Sequence, residues 1–399
     1  MAGRDVMTHR SLITVAALVM ATVAVFLFLP DSERAETQQP SAPTVSRDVT
    51  EIRFGVLDPP VVMQKDITES FPTNNTTKEL KPIEVAGMYF SNGRLLLISD
   101  RHEHCVFTSA FDLSTMKLTP PSRVVIQHNE QYLLQDAEAI TVQPRDDGTF
   151  VSYIFCSLSN DRNEQPLPMR RHLARFTFTA GEPFEPSRIK VIDGSVIREK
   201  LTIYFDKLGI KPYRTFFAGA TTAEKNTYRW GNIEGIAFTP DGKRLLAGFR
   251  NPLTEGQTGK AIIAALENID EAFDAGDASK THVSDLIMLD LGDRGISDLC
   301  WDPMTKGYLI SAGKSNGLKL DKDQPFPPNT LDSALFWWSG RKTEKPILFA
   351  TVPEMKIESI CRLGTSRLIA IASDEGDESE SREQRQSVIT VMDFTGFRK

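Results

Sequence analysis

Short apolar runs alternate with tight polar turns over most of the chain, and one unit recurs. Each copy opens with a small or acidic residue, runs into an apolar strand, turns, returns as a second apolar strand and ends in a polar cluster. The best-formed copy is NIEGIAFTPDGKRLLAGFRN, Asn232 to Asn251, with Pro240-Asp241-Gly242 between its two runs. Such a turn flanked by apolar segments predicts a β-hairpin. VAGMYFSNGRLLLISDR (Val85 to Arg101) repeats the unit around Asn92-Gly93, and DAEAITVQPRDDGTFVSYIFCSLSN (Asp136 to Asn160) repeats it around Asp147-Gly148. GISDLCWDPMTKGYLISAGKSN (Gly295 to Asn316) and KIESICRLGTSRLIAIASDEGD (Lys356 to Asp377) are weaker copies.

Aligned on their leading positions, the copies give Ala86, Glu138, Glu234, Asp298 and Glu358, at intervals of 52, 96, 64 and 60 residues. Repeats of this length, each holding two to four strands, are the signature of a β-propeller. The interval of 96 is nearly a double step, so a degenerate copy is expected between residues 165 and 230, for about six blades in all. Further strands are predicted at His172 to Thr179, Ala261 to Leu266, Leu286 to Leu291, Leu335 to Ser339 and Ser387 to Phe394. One helix is predicted from Asp193 to Leu208, capped by Asp193 and stopped by Gly209 and Pro212. The fold class is therefore all-β and propeller-like, with a β-sandwich or two unrelated all-β domains as the competing readings.

The amino end follows a different rule. Ser11 to Leu29 (SLITVAALVMATVAVFLFL) carries no charge. At about 1.5 Å per residue this run matches the roughly 30 Å hydrocarbon layer of a bilayer. Arg4 and Arg10 precede it, while Asp31, Glu33 and Glu36 follow it. The positive-inside rule then leaves residues 1–10 in the cytoplasm, makes 11–30 a transmembrane signal anchor, and sends the rest outside, periplasmic or at the cell surface. Secretion after signal cleavage is the alternative, although the run is longer than a usual signal core and no A-x-A site follows it. Residues 31–48 read as a flexible tether, polar and Pro-containing, and the propeller-like domain spans 49–399.

Composition narrows the partners. The chain has 46 basic and 53 acidic residues, net charge −7, with no dense Lys/Arg cluster. No basic face is available for nucleic acid, so none is expected as a partner. Cys105, Cys156, Cys300 and Cys361 are far apart with no C-x-x-C pair, which excludes a zinc ribbon or thioredoxin-like motif and leaves their disulfide state open. Asn74-Asn75-Thr76 and Asn75-Thr76-Thr77 are glycosylation sequons.

Asn232 to Leu266, with its NIEGIAF…LLAGFRNPL…GKAIIAALEN pattern, followed by LDLGDRGISDLCWD (Leu289 to Asp302), resembles an uncharacterised bacterial domain family related to phytase-like and esterase-like propellers. DAEAITV…FCSLSND…RRHLARF (Asp136 to Phe176) is similar to an earlier repeat of that family. The resemblance covers roughly residues 80 to 375. It implies a propeller fold and transfers no catalytic residue.

Hairpin counting locates a candidate site. Folding at Asp241-Gly242 sets Glu234 beside Phe249-Arg250, and folding at Asp147-Gly148 sets Glu138 near Cys156-Ser157. The same count puts Asp298 near Ser311-Ala312 and Glu358 near Ala372-Ser373. If these strands are innermost, Glu138, Glu234, Asp298 and Glu358 meet at one end of a central channel. The rim would be Asp100-Arg101-His102, Arg250-Asn251, Lys314-Ser315-Asn316 and Asp374-Glu375. Carboxylates so confined must share protons, pair with Arg250, Arg294 or Arg101, or hold a cation. Calcium, which takes six to eight oxygen ligands, is the metal they would suit, and braces at blade junctions are the plain structural alternative.

Other matches are weaker. Gly313 to Gly317 fits G-x-S-x-G, but no helix pattern follows it. A P-loop reading of Gly313-Lys314-Ser315 fails because Tyr308 stands where the first glycine belongs. His102-Glu103-His104 could put two imidazoles on one strand face, without a third ligand. The acidic run Asp374 to Glu383 reads as a solvated loop, and Trp337-Trp338 as packing between blades. Two functions stay open. One is a binding propeller with its ligand or partner at an acidic channel mouth. The other is a divalent-metal-dependent phosphoesterase or esterase-like hydrolase, whose ion would activate water. Whether the protein is an enzyme is not decided by these residues.

Overall fold

Five antiparallel blades make up the structure, three of four strands and two of five among the described residues. The computed structural model describes residues 52–55, 61–62 and 83–394, less 101, 116, 120, 127–133, 161–166, 181–183, 208–231, 255–258, 315–331, 353–355 and 375–386. The first blade is Val85–Ser91, Arg94–Ser99 and Cys105–Asp112, with Lys117–Leu118 and Ser122–Val125 both paired to the third strand. The second is Ala137–Pro144, Thr149–Cys156, His172–Thr179 and Ser187–Asp193. The third is Asn232–Phe238, Arg244–Asn251, Ala261–Glu267 and His282–Leu289. The fourth is Arg294–Asp302, Gly307–Lys314, Ser333–Trp338 and Ile347–Val352. Lys356–Arg362, Leu368–Asp374 and Ser387–Phe394 build the fifth, whose outer strand comes from the other end of the chain: Ile52–Gly55 pairs with Ser387–Phe394. Pairing strands from both ends of the chain closes the circle without leaving a blade incomplete.

The five inner strands contact one another in sequence, and the fifth returns to the first. Residues 49–398 form one compact unit. The blades are held by five apolar clusters, one at each junction. Tyr153, Phe155 and Phe249 fill the junction of the second and third blades, and Leu309, Ile360 and Phe394 that of the fourth and fifth. Strands buried on both faces need apolar residues at successive positions, which is why the runs lack a clean alternation. The glycine spacing shows how tight the inner ring is. A Cβ on Gly235 would lie 2.5 Å from the Leu299 backbone nitrogen in the next blade.

Six blades were expected and five are present. The long interval between Glu138 and Glu234 holds the two outer strands of the second blade and the helix Ser195–Lys207, with residues 208–231 outside the described set. The helix buries Ile197, Leu201 and Phe205 between the second and third blades, so it occupies surface rather than adding a blade. Its predicted cap is present, since Asp193 Oδ1 accepts from the Ser195 backbone at 2.8 Å. No helix among the described residues is long and apolar enough to cross a membrane. Ser11 to Leu29, the tether and both sequons lie outside the described residues.

Candidate functional site

A register break occurs at the same level of every inner strand. In the first hairpin Val85 pairs with Ser99 and Gly87 with Ile98, leaving Ala86 as the extra residue. The corresponding residues are Glu138, Glu234, Ser297 and Glu358 in the second to fifth blades. A β-bulge turns one side chain out of the alternating pattern and re-aims it. Because the inner strands share one direction, the five bulges lie at one mouth of the channel. In the third blade the returning strand bulges too: Asn232 pairs with Asn251 and Ile233 with Phe249, so Arg250 is the extra residue.

Arg250 is the hub of this mouth. Its Nε lies 2.5 Å from Glu234 Oε2 in its own blade. Its Nη2 donates to Ser297 Oγ of the fourth blade at 2.9 Å and to Glu358 Oε2 of the fifth. Lys356 Nζ approaches the other Glu358 oxygen at 2.7 Å, and Asn232 Nδ2 donates to Glu234 Oε1. Glu234, Arg250, Ser297 and Glu358 are all buried. Burial raises the Glu234 carboxyl above its ordinary range against the opposing pull of Arg250, and Glu234 and Glu358 hold the Arg250 guanidinium firmly protonated.

Glu138 differs from its counterparts. It keeps partial solvent contact, and among the described residues it makes no hydrogen bond or ion pair. Its pKa is pushed well above the carboxylate range, first by its enclosure and then by the negative charges of Asp136, Glu234 and Asp100. Asp136 itself is engaged with Ser157 Oγ and with Arg170 Nη1 at 3.2 Å. Asn232 also contributes an orphan, since its buried Oδ1 has no hydrogen-bond partner among the described residues.

Glu138, Glu234, Arg250 and Glu358 therefore meet where hairpin counting put them, and Asp298 does not join them. Asp298 stands one residue past the bulge and faces the next blade. Its Oδ2 accepts from Ser359 Oγ at 2.6 Å and from the Ile360 backbone at 2.9 Å, and Oδ1 from Leu299 N at 2.7 Å. Burial lifts its pKa to about 7. It is a brace between the fourth and fifth blades. Ser297, absent from the sequence-based set, takes its place at the mouth. The mismatch arose because the repeats were aligned on acidic side chains. An apolar residue precedes every bulge (Val85, Ala137, Ile233, Ile296, Ile357), and alignment on it selects Ser297.

The remaining candidates fall elsewhere. Arg294 donates to backbone oxygens of Asp332, Leu291 and Gly292. His102-Glu103-His104 lies in a turn and not on a strand, and His104 Nδ1 accepts from Leu134 N at 2.8 Å. All four cysteines are buried free thiols. Burial raises Cys300 to about 12, so it is a poor nucleophile at neutral pH. Trp337 and Trp338 pack among the fourth-blade junctions. Residues 315–317 of G-x-S-x-G and residues 375–383 of the acidic run lie outside the described residues.

For calcium the fit is poor. Arg250 supplies the positive charge between Glu234 and Glu358, Asp298 is committed to backbone donors, and among the described residues no group of three or more His, Cys, Asp or Glu is arranged to hold a metal ion.

No family model and no curated protein matches the sequence. Similar solved structures include a glycoside hydrolase family 43 β-1,3-galactosidase with galactodeoxynojirimycin, at 11% identity and TM-score 0.40, covering 81% of this chain and 94% of that one. A family 43 arabinoxylan arabinofuranohydrolase from Bacillus subtilis gives 10% identity and TM-score 0.39, covering 76% and 61%. An AofleA mutant from Arthrobotrys oligospora gives 10% identity and TM-score 0.33, covering 78% and 69%.

Proposed function

We propose that this protein is a ligand-binding β-propeller, anchored in a membrane through Ser11 to Leu29 with its propeller outside the cytoplasm, and that its ligand docks at the channel mouth around Glu138. The observation that carries the reading is the contrast between Glu138 and the other bulge residues. Glu234, Ser297 and Glu358 are tied to Arg250, whereas Glu138 has no protein partner among the described residues and still reaches solvent. A carboxyl group that still reaches solvent and is not committed to another described residue can accept a ligand's hydrogen bonds without first breaking a bond inside the protein. Binding requires no chemistry of this site.

Thermal denaturation of the full chain in detergent, against a panel of cationic, neutral and anionic small molecules, tests it. A binder raises the melting temperature by mass action on the folded state. The expected result is a compound that stabilises the wild type and has no effect on Glu138→Gln. Equal stabilisation of both proteins by every active compound would move the site away from the mouth.

A further inference from the structure

Beside the mouth, two consecutive arginines of the second blade share one neighbour. The turn Pro168–Arg171 ends in Arg170 and Arg171. Their backbone carbonyls are pinned, Arg170 O by Leu158 N at 2.9 Å and Arg171 O by Gly194 N at 2.7 Å. Both guanidinium groups then reach Asn160: Arg170 Nη1 donates to its backbone oxygen at 3.4 Å, and Arg171 Nη2 to its Oδ1 at 3.3 Å. Their charges are not equally matched. Arg170 faces Asp136 Oδ2 at 3.2 Å, whereas Arg171 has only neutral partners among the described residues, Asn160 Oδ1 and, at 3.5 Å, Ser195 Oγ. Ser195 opens the helix Ser195–Lys207, and its amide is already satisfied by Asp193 Oδ1, so the helix positions Arg171 and is not itself an anion site.

Arg171 is half-buried, so its charge is partly withdrawn from water and still within reach of solvent. A guanidinium also has more N–H donors than these two long bonds use. The chemistry that completes it is an anion. With Arg170 balanced by Asp136, the pair has one unmatched positive charge, which calls for a monoanion and suits a doubly charged phosphate poorly. A planar guanidinium fork matches a carboxylate through two parallel N–H···O bonds. We infer that Arg171 binds the carboxylate of a small organic acid on the rim of the mouth, with Arg170 alongside. This goes beyond the ligand-binding reading above, because the site is built without Glu138.

The test uses propionate, with propionamide as the neutral probe of matching shape, titrated at neutral pH into the full chain in detergent and followed by NMR. Propionate should bind saturably and more weakly as salt rises, and propionamide should not bind. Arg171→Gln should abolish binding. Arg171→Lys keeps the charge, loses the fork and should weaken binding roughly tenfold. Glu138→Gln should bind propionate as the wild type does, which separates this site from the one proposed at Glu138. No saturable binding, equal binding of propionamide, or tighter binding of inorganic phosphate than of propionate would overturn the inference. Undiminished binding in folded Arg171→Gln or Arg171→Lys, or loss of binding in Glu138→Gln, would do the same. Asp161 and Glu164 follow Asn160 in the chain and lie outside the described residues. Propionate binding that appears only in Asp161→Asn or Glu164→Gln would mean that the chain supplies the carboxylate itself, and would also overturn the inference.

Discussion

Arg250 Nη2 bonds to Glu358 across an intervening blade, joining the third blade to the fifth over residues 108 apart in sequence. The reach is possible because the fourth blade presents Ser297, whose short side chain accepts from the same guanidinium nitrogen at 2.9 Å. A glutamate at Ser297 would give the ring a fourth acid around one arginine. With serine there, Arg250 acts as a clasp over the mouth, and Glu138 is the one acid of the ring left outside it.

That division predicts opposite outcomes for two similar substitutions. Glu358→Gln removes a charge from a buried pair and leaves Arg250 undercompensated, so it should cost about 3 kcal/mol in chemical denaturation. Glu138→Gln replaces a carboxyl group that has no partner among the described residues and should change stability by no more than about 0.5 kcal/mol. Equal losses would mean that Glu138 is also part of the clasp.

The inner ring is close-packed between the third and fourth blades. In Gly235→Ala the new methyl group meets the Asp298–Leu299 backbone, which cannot rotate away as a side chain can. Separation of the inner strands should cost about 1–3 kcal/mol, as overpacking does. A melting temperature equal to the wild type would show that the ring is looser than this.

Asp298 links stability to pH. Its folded pKa is about 7, above the ordinary aspartate value of about 4 in the unfolded chain. The folded state therefore binds more protons between those values, and the contribution of Asp298 to stability is present in full at low pH and lost as pH rises through about 7. Asp298→Asn removes this dependence. A denaturation series from acid to neutral pH should show a shallower loss of stability in the variant, and identical slopes would contradict the assignment.

At the far end of the inner strands, Arg362 binds Asp302 through both Nε (2.9 Å) and Nη2 (2.5 Å), linking the fifth blade to the fourth. Both side chains are buried, and Arg362 Nη1 also donates to the Phe394 carbonyl at 2.7 Å. Asp302→Ala strands a buried guanidinium and should cost about 3–5 kcal/mol without altering ligand binding at the mouth. A loss of binding in protein that is still folded would argue that the two ends of the channel are coupled.

Much of this could be read from the residues because inner hairpins carry strong local signals. Asn92-Gly93, Asp147-Gly148 and Asp241-Gly242 fix the turns, all three glycines adopt positive φ, and counting back from them finds Glu138, Glu234 and Arg250. Outer strands carry less. Ser187–Asp193 is largely exposed along its first residues and has no apolar run, and Ile52–Gly55 is four residues whose partner is at the other end of the chain. The blade count failed in the second blade, where Ser187–Asp193 and the helix Ser195–Lys207 lie in an interval that repeat spacing assigns to a further copy. The bulge also escaped detection, since one extra residue shifts the register without changing composition. That shift is what separates Ser297, at the mouth, from Asp298, in the blade junction.

The central claim is that bulges from separate blades converge on one arginine. A double-mutant cycle between Arg250→Met and Glu358→Gln measures it directly, using urea denaturation of the wild type, both single variants and the double variant. Direct contact predicts that the double variant is more stable than the sum of the single losses implies, by at least about 1.5 kcal/mol. Losses that add within about 0.5 kcal/mol would place the two residues apart and contradict the mouth described above.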